Sequence, residues 1–165
     1  MDNLINDWRS RSDEQTGELS EWLDNSKITT KTGLLEETSK IVGDAVSNAI
    51  DCLDCGNCCK TSVTDFTKGE IKKAAKYLQM TPKGFIKQYL MEDIDGTYIT
   101  MSSPCPMLNA DNTCKIYEVR PKVCESYPHV TRDNFANRIH AHKANLDMCP
   151  ITYHTVKRMM EQLGE

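Results

Sequence analysis

Four cysteines fall within eight residues, Cys52, Cys55, Cys58 and Cys59 in a CxxCxxCC run, and four more follow at Cys105, Cys114, Cys124 and Cys149. Thiolates are ligands for zinc and for iron–sulfur clusters, so all eight are candidate metal ligands. Two residues between cysteines let a tight turn aim both sulfurs, and the amides around them, at one point. CxxCxxC extends this to three ligands, and a fourth must come from elsewhere. Three close cysteines joined by a remote one, often followed by proline, is a pattern of iron–sulfur ligation. Cys105-Pro106 and Cys149-Pro150 both fit the remote role. Structural zinc sites more often use two separate CxxC pairs, whereas here Cys52/Cys55 and Cys55/Cys58 overlap. The spacing leans toward an iron–sulfur cluster, with one or two zinc ions as the alternative cofactor.

Consecutive side chains in an extended chain point in opposite directions, which assigns Cys58 and Cys59 to different sites. Eight thiols divide into two sets of four, or into one set of four with the others as second-site ligands or buried thiols. Sequence does not assign the sets. Four thiolates on a 2+ core leave a net charge of −2 that a partly dry interior must offset. Lys60, Lys115, Arg120 and Lys122 flank the cysteines and are candidates for that role, solvated lysines being the plain alternative for Lys60 and Lys122. In IYEVRP, Arg120 is expected to pair with Glu118 or Glu125, while Ile116 and Tyr117 pack.

His140 and His142 alternate in RIHAHK, so a strand would put both on one face, where a carboxylate could complete a metal site. With eight sulfurs present, surface or internally satisfied histidines are the expectation. His129 and His154 carry no spacing signal. No paired carboxylates, nucleophile elbow or Ser/His/Asp order stands out, so no catalytic residue is assigned. A metal-dependent or cysteine enzyme is the third functional reading, after an iron–sulfur protein and a zinc-stapled interaction module.

The elements that must position these thiols read as mainly helical α+β. Residues 1–50 form an N-terminal helical segment, and residues 51–165 a cysteine-rich metal-binding domain with a small hairpin and irregular loops. Leu34, Leu35, Ile41, Val42, Ala45, Val46, Ala49, Ile50 and Leu53 recur mostly at three- and four-residue steps, predicting a helix that delivers the chain into Cys52. A shorter helix spans about Trp8 to Leu23, its tryptophans acting as packing anchors, and Asn25 to Thr32 reads as a linker. Thr67 with Glu70 makes a capping-box pattern, and Thr81-Pro82 starts a second helix. Asp95-Gly96 precedes alternating Tyr98 to Met101, a hairpin signal, a turn lies at NADNT, and a closing helix runs from Ile151 to Leu163.

At 165 residues, with 39% hydrophobic and 27% charged residues, the chain is long enough for one modest core. No run of ~18 apolar residues exists, so no transmembrane helix is expected. MDNLINDWRSRSDEQ lacks a secretory signal, and the reading is cytoplasmic. In a reducing compartment eight thiols serve metal sooner than disulfides. A formal charge of −4, made more negative by thiolate formation, disfavours nucleic acid. No nucleotide loop of the GxGxxG type and no small-molecule substrate is identifiable. A protein partner docking on residues 1–50 is the partner the sequence leaves open.

CxxCxxCC at Cys52 to Cys59, CPML at Cys105 to Leu108, CKIYEVRPKVC at Cys114 to Cys124, YP at Tyr127-Pro128 and CP at Cys149-Pro150 together resemble the bacterial YkgJ-type cysteine-cluster family. The resemblance covers roughly residues 50 to 150. It implies zinc or iron chelation, often described loosely as iron–sulfur oxidoreductase. A flagellin lysine methylase carries the same motif set on a considerably longer chain. Any function peculiar to this member is expected in the N-terminal fifty residues, outside the resemblance.

Overall fold

The computed structural model of the protein describes residues 4–164. It is mainly helical α+β. In chain order the elements are α1 (Leu4–Thr29), α2 (Thr32–Ala49), α3 (Cys52–Cys55), α4 (Asn57–Thr61), β1 (Asp65–Phe66), α5 (Lys68–Tyr77), α6 (Pro82–Tyr89), β2 (Leu90–Glu92), β3 (Tyr98–Thr100), a 3-10 turn at Tyr117–Val119, α7 (Lys122–Ser126), a 3-10 turn at Phe135–Arg138, α8 (Ile139–Asn145) and α9 (Pro150–Leu163). No helix among the described residues is long and apolar enough to cross a membrane. Packing gathers the chain into two compact units: residues up to Cys52 together with Pro128 onward, and Leu53–Tyr127.

The first unit is a helical bundle in which α9 packs against both α1 and α2. The N-terminal helical segment expected over residues 1–50 lies in this unit with the C-terminal helix. Ile5, Trp8, Ser12, Leu19, Trp22, Leu23 and Ser26 of α1 are buried at helical spacing. Both tryptophans anchor the bundle, with indole N–H groups satisfied: Trp8 donates to the Leu146 carbonyl and Trp22 to that of Gly164, each at 2.9 Å. α1 is longer than its periodicity predicts and absorbs most of the expected linker at Asn25 to Thr32. The turn-forming side chains there bond inside the helix instead, Ser26 Oγ to the Leu23 carbonyl and Thr29 Oγ1 to that of Asn25. α2 stops at Ala49 because Ile50 is extended, with φ −123° and ψ 120°. Gly43 permits a close approach there, since a Cβ at this position would meet the Thr131 methyl at 2.7 Å. The Glu36 carboxylate accepts from the Phe135 and Ala136 amides at 2.9 and 3.1 Å, tying α2 to the turn before α8.

The second unit carries an antiparallel sheet of order β1-β3-β2, with Leu90 opposite Thr100, Glu92 opposite Tyr98, and Asp65 opposite Ile99. The β2–β3 hairpin turns at Asp95-Gly96, where Gly96 takes φ +81°. Phe66, Ile71, Ala74, Ala75, Phe85, Leu90, Met107 and Ile116 form its core, with Cys105 and Cys114 packed against it. The Thr67/Glu70 capping box is complete at the start of α5. Glu70 also accepts the Lys122 amide at 2.8 Å on its other oxygen, so one carboxylate caps α5 and holds α7.

Glu70→Ala removes both sets of hydrogen bonds, and the urea midpoint of the second unit should fall by an amount equivalent to about 1–2 kcal/mol. His142 gives a separate prediction. It is fully buried, stacked on Phe135 with centroids 4.3 Å apart, and neither ring nitrogen has a hydrogen-bond partner of good geometry. Burial lowers its pKa to about 4, opposed weakly by the Phe135 backbone and Glu36. The unfolded chain therefore binds the extra proton first, so this contribution is fully present above about pH 6.5 and is lost progressively as pH falls toward 4. His142→Phe should flatten the stability profile in that window by up to about 3 kcal/mol, measured as the difference between wild-type and variant melts.

Candidate metal centre

The centre of the second unit's chemistry is built from four separate stretches of chain. Gly56 opens α4 in the left-handed region, φ +59°, and this brings Cys58 and Cys59 round at the start of a short helix. Asn112 packs over Gly56, and its amide donates to the Leu53 carbonyl at 2.6 Å. The Cys105 amide donates to the Cys59 carbonyl at 2.8 Å, which fixes the second stretch directly on the first. The chain then folds back on itself. Leu108 bridges Cys114, the Lys115 amide donates to the Met107 carbonyl at 2.9 Å, and the NADNT turn closes with Asn109 N on the Thr113 carbonyl at 2.8 Å. Cys124 arrives on α7, its thiol 3.7 Å from Thr64 Oγ1, and the Thr64 amide is in turn held by Thr100 Oγ1 of β3 at 3.0 Å.

As a result Cys59, Cys105, Cys114 and Cys124 each lie within electrostatic reach of the other three. Among the described residues no three His, Cys, Asp or Glu stand close enough together to hold a metal ion as they are placed. Drawing these four thiols onto an ion would therefore be part of binding. Their donor chemistry fits a zinc ion or an iron–sulfur cluster. Burial raises the pKa of Cys105 against the amides of Met107 and Leu108, and that of Cys114 against the amide of Ile116. In both cases the residue two positions on is buried in the core and turns its N–H to the sulfur: Met107 and Ile116 are each 1% exposed. Cys124 is exposed by accessible area, yet the groups packed around it push its thiol up to about 11, opposed by the Thr64 hydroxyl. The Cys59 thiol is raised further, by its hydrogen bond with Cys58 and by burial, while Lys60 lowers it. Raised thiols are protonated at neutral pH, so metal must displace protons to enter.

Three cations stand beside these sulfurs, each held by a main-chain carbonyl. Lys60 Nζ donates to Cys55 at 3.0 Å, Lys115 Nζ to Pro106 at 3.0 Å and Arg120 Nη1 to Tyr117 at 2.7 Å. Lys60 acts on Cys59, and Arg120 and Lys115 act on Cys114. Arg120 lies over the Tyr117 ring, 3.9 Å from its centroid, rather than pairing with Glu118 or Glu125.

The remaining thiols are placed differently. Cys55 is buried and Cys58 half-buried in the second unit. Cys149 is buried in the first unit, where Cys52 acts on it electrostatically. Burial raises Cys149 to about 11, opposed by the Thr152 and Ile151 amides, and Ile151 is again a buried residue two positions on. Cys149 thus shares its local design with Cys105 and Cys114. Cys58 and Cys59 do not point apart as an extended chain would require. α4 is helical, successive side chains there are ~100° apart, and the two Sγ atoms stand 4.0 Å from each other. His140 and His142 do not share a face either, because RIHAHK lies in α8: His140 is exposed and His142 buried. Thr64, Gly56 and Asn112 escaped the sequence reading. Gly56 between Cys55 and Cys58, and an Asn in a turn, were the available signals.

The family model for CxxCxxCC, described as "Putative zinc- or iron-chelating domain", matches residues 51–150. The chain belongs to this family. All eight cysteines fall inside the matched residues. A relative within reach of direct alignment, "Uncharacterized protein MJ0661" of Methanocaldococcus jannaschii, is 31% identical over 104 residues, 60% of this chain. The alignment covers 56% of that relative's length. No solved structure matches the chain. Membership of the CxxCxxCC family makes this a metal-binding protein.

Gly56→Ala tests the local design. A Cβ would sit 2.9 Å from Asn112 Oδ1 on a backbone that L residues rarely adopt. The substitution should cost about 1–3 kcal/mol and reduce metal per chain, read by unfolding and by elemental analysis.

Proposed function

We propose that this chain is a cytoplasmic iron–sulfur protein whose cluster is held by Cys59, Cys105, Cys114 and Cys124, with an electron-transfer, sensing or accessory role. The observation that carries the reading is the convergence of these four thiols, drawn from α4, the two sides of the 105–114 loop and α7. Amide donors already face two of the sulfurs, and hydrogen bonds to sulfur are one of the levers that set a cluster's potential. Such a cluster, when bound, supplies one-electron chemistry. The chain's own part is to orient the thiols through the Cys105–Cys59 backbone bond, to shield them with Met107 and Ile116, and to place Lys60, Lys115 and Arg120 against the negative charge of the thiolates.

A second reading, a zinc-stapled structural or interaction module, is favoured by one distance. The 4.0 Å between Cys58 and Cys59 Sγ is near the ~3.8 Å expected of two thiolates on one tetrahedral ion with metal–sulfur bonds of ~2.3 Å. Metal and acid-labile sulfide per chain, measured with a visible spectrum on anaerobically purified protein, separate the two. Iron with matching sulfide is the expected outcome. Zinc at one or two per chain without sulfide would replace the cluster by the staple. Cys105→Ser should lose the metal of this centre and lower the melting temperature, while His142→Ala should keep full metal content.

A further inference from the structure

Residues 68–87 carry six lysines, Lys68, Lys72, Lys73, Lys76, Lys83 and Lys87, against the single carboxylate of Glu70. That is a net +5 in a chain of net −4, so the remaining residues carry −9. The segment is the α5–α6 helical hairpin of the second unit, whose helices turn Ile71, Ala74, Ala75 and Phe85 into one core. The lysines occupy the other side of both helices, and all six are exposed. On α5 Lys68, Lys72 and Lys76 follow at four-residue steps along one stripe, and Lys83 and Lys87 repeat the step on α6. Glu70 is occupied by the Thr67 cap and the Lys122 amide, and Lys73 acts on it without an ion-pair contact. The ion pairs among the described residues lie in the first unit, so the six charges stay unneutralised.

We propose that this lysine face is the docking surface for an acidic protein partner. Like charges at four-residue helical spacing repel one another, and their summed field acts on an anion brought from outside. Lysine is a strongly hydrated point charge suited to steering an encounter, whereas arginine, whose fork recognises phosphate, is absent from residues 68–87. Tyr77 is the exposed large apolar side chain of these two helices. They therefore offer a bilayer no aliphatic surface to enter, and offer nucleic-acid bases no row of rings to stack on. A nucleic acid or a bilayer also extends past two short helices and meets the −9 of the remaining chain, while a small acidic protein can present its charge to the hairpin alone. The face adjoins the candidate ligands, because Glu70 at the start of α5 holds the amide of Lys122, whose helix carries Cys124. Docking is a property of the lysines and does not depend on which metal the thiols hold.

The probe is a fluorescein-labelled, glutamate-rich helical peptide, titrated with the chain at low ionic strength and at ~0.15 M. A single-stranded RNA oligonucleotide and vesicles of phosphatidylserine with phosphatidylcholine are titrated in parallel. The peptide should bind at low ionic strength and weaken at ~0.15 M. Lys72→Glu with Lys83→Glu should weaken it by about tenfold or more, and Lys72→Gln with Lys83→Gln by less. Lys31→Glu with Lys40→Glu makes the same change of net charge on exposed positions of α2 and should weaken it far less. Far-UV circular dichroism and melting check that each variant is folded, and the glutamine pair carries the test where the glutamate pair is not. Absence of peptide binding at low ionic strength, or a comparable loss in the α2 variant, would overturn the docking face. Tighter, Lys72- and Lys83-dependent binding of the RNA or of the vesicles would overturn the acidic protein as its occupant.

Discussion

One backbone hydrogen bond, from the Cys105 amide to the Cys59 carbonyl, is the joint on which the second unit's chemistry depends. It links two cysteines 46 positions apart in the sequence, and everything beyond it follows locally. Once Cys105 is fixed, the 105–114 loop needs only its own turn and the Leu108–Cys114 bridge to return a third sulfur to the same place. Because the bond is between main-chain groups, it holds the thiols' segments without using the thiols. The sulfurs stay available to a metal.

The same economy explains the repeated Cys-x-apolar arrangement. At Cys105, Cys114 and Cys149 the residue two positions on is buried and its amide faces the sulfur. An apolar side chain pulled into a core drags its own N–H into a fixed orientation, so hydrophobic burial aims the amide donor. In the second unit eight buried residues make up that core, small for a stretch of 75 residues with a three-stranded sheet of short strands. A core of this size leaves room for metal free energy to be folding free energy, which is how small thiolate-bound domains are ordinarily held together.

Features governed by neighbours in sequence were legible in advance. The Thr67/Glu70 box, the Thr81-Pro82 helix start, the Asp95-Gly96 hairpin and the closing helix after Cys149 all depend on contacts within a few residues. What was not legible required tertiary partners. The run Asn25 to Thr32 carries turn formers, yet burial of Trp22, Leu23 and Ser26 on one face keeps α1 going to Thr29. Alternation in RIHAHK fits a strand as well as a helix, and only the packing of α8 on Phe135 decides it. Arg120 had two nearby carboxylates to choose from, and the Tyr117 ring and carbonyl hold it instead. The gathering of Cys59 with Cys105, Cys114 and Cys124 joins positions up to 65 residues apart, a matter on which spacing is silent.

The electrostatics of the thiols can be followed within the second unit alone. Residues 53–127 carry ten Lys and Arg against nine Asp and Glu, so the acidic excess of the whole chain, net −4, lies in the other segments. Among the described residues the ion pairs are Arg11 with Asp7 and Lys143 with Asp24, both in the first unit. Lys60, Lys115 and Arg120 are held by carbonyls, and a carbonyl fixes a cation without cancelling its charge. A carboxylate partner would have stabilised the side chain equally well and removed its field from the sulfurs. Three uncancelled positive charges, one acting on Cys59 and two on Cys114, favour the thiolate form of those half-buried thiols. The placement of these cations is an argument for metal binding that does not rest on the spacing of the cysteines.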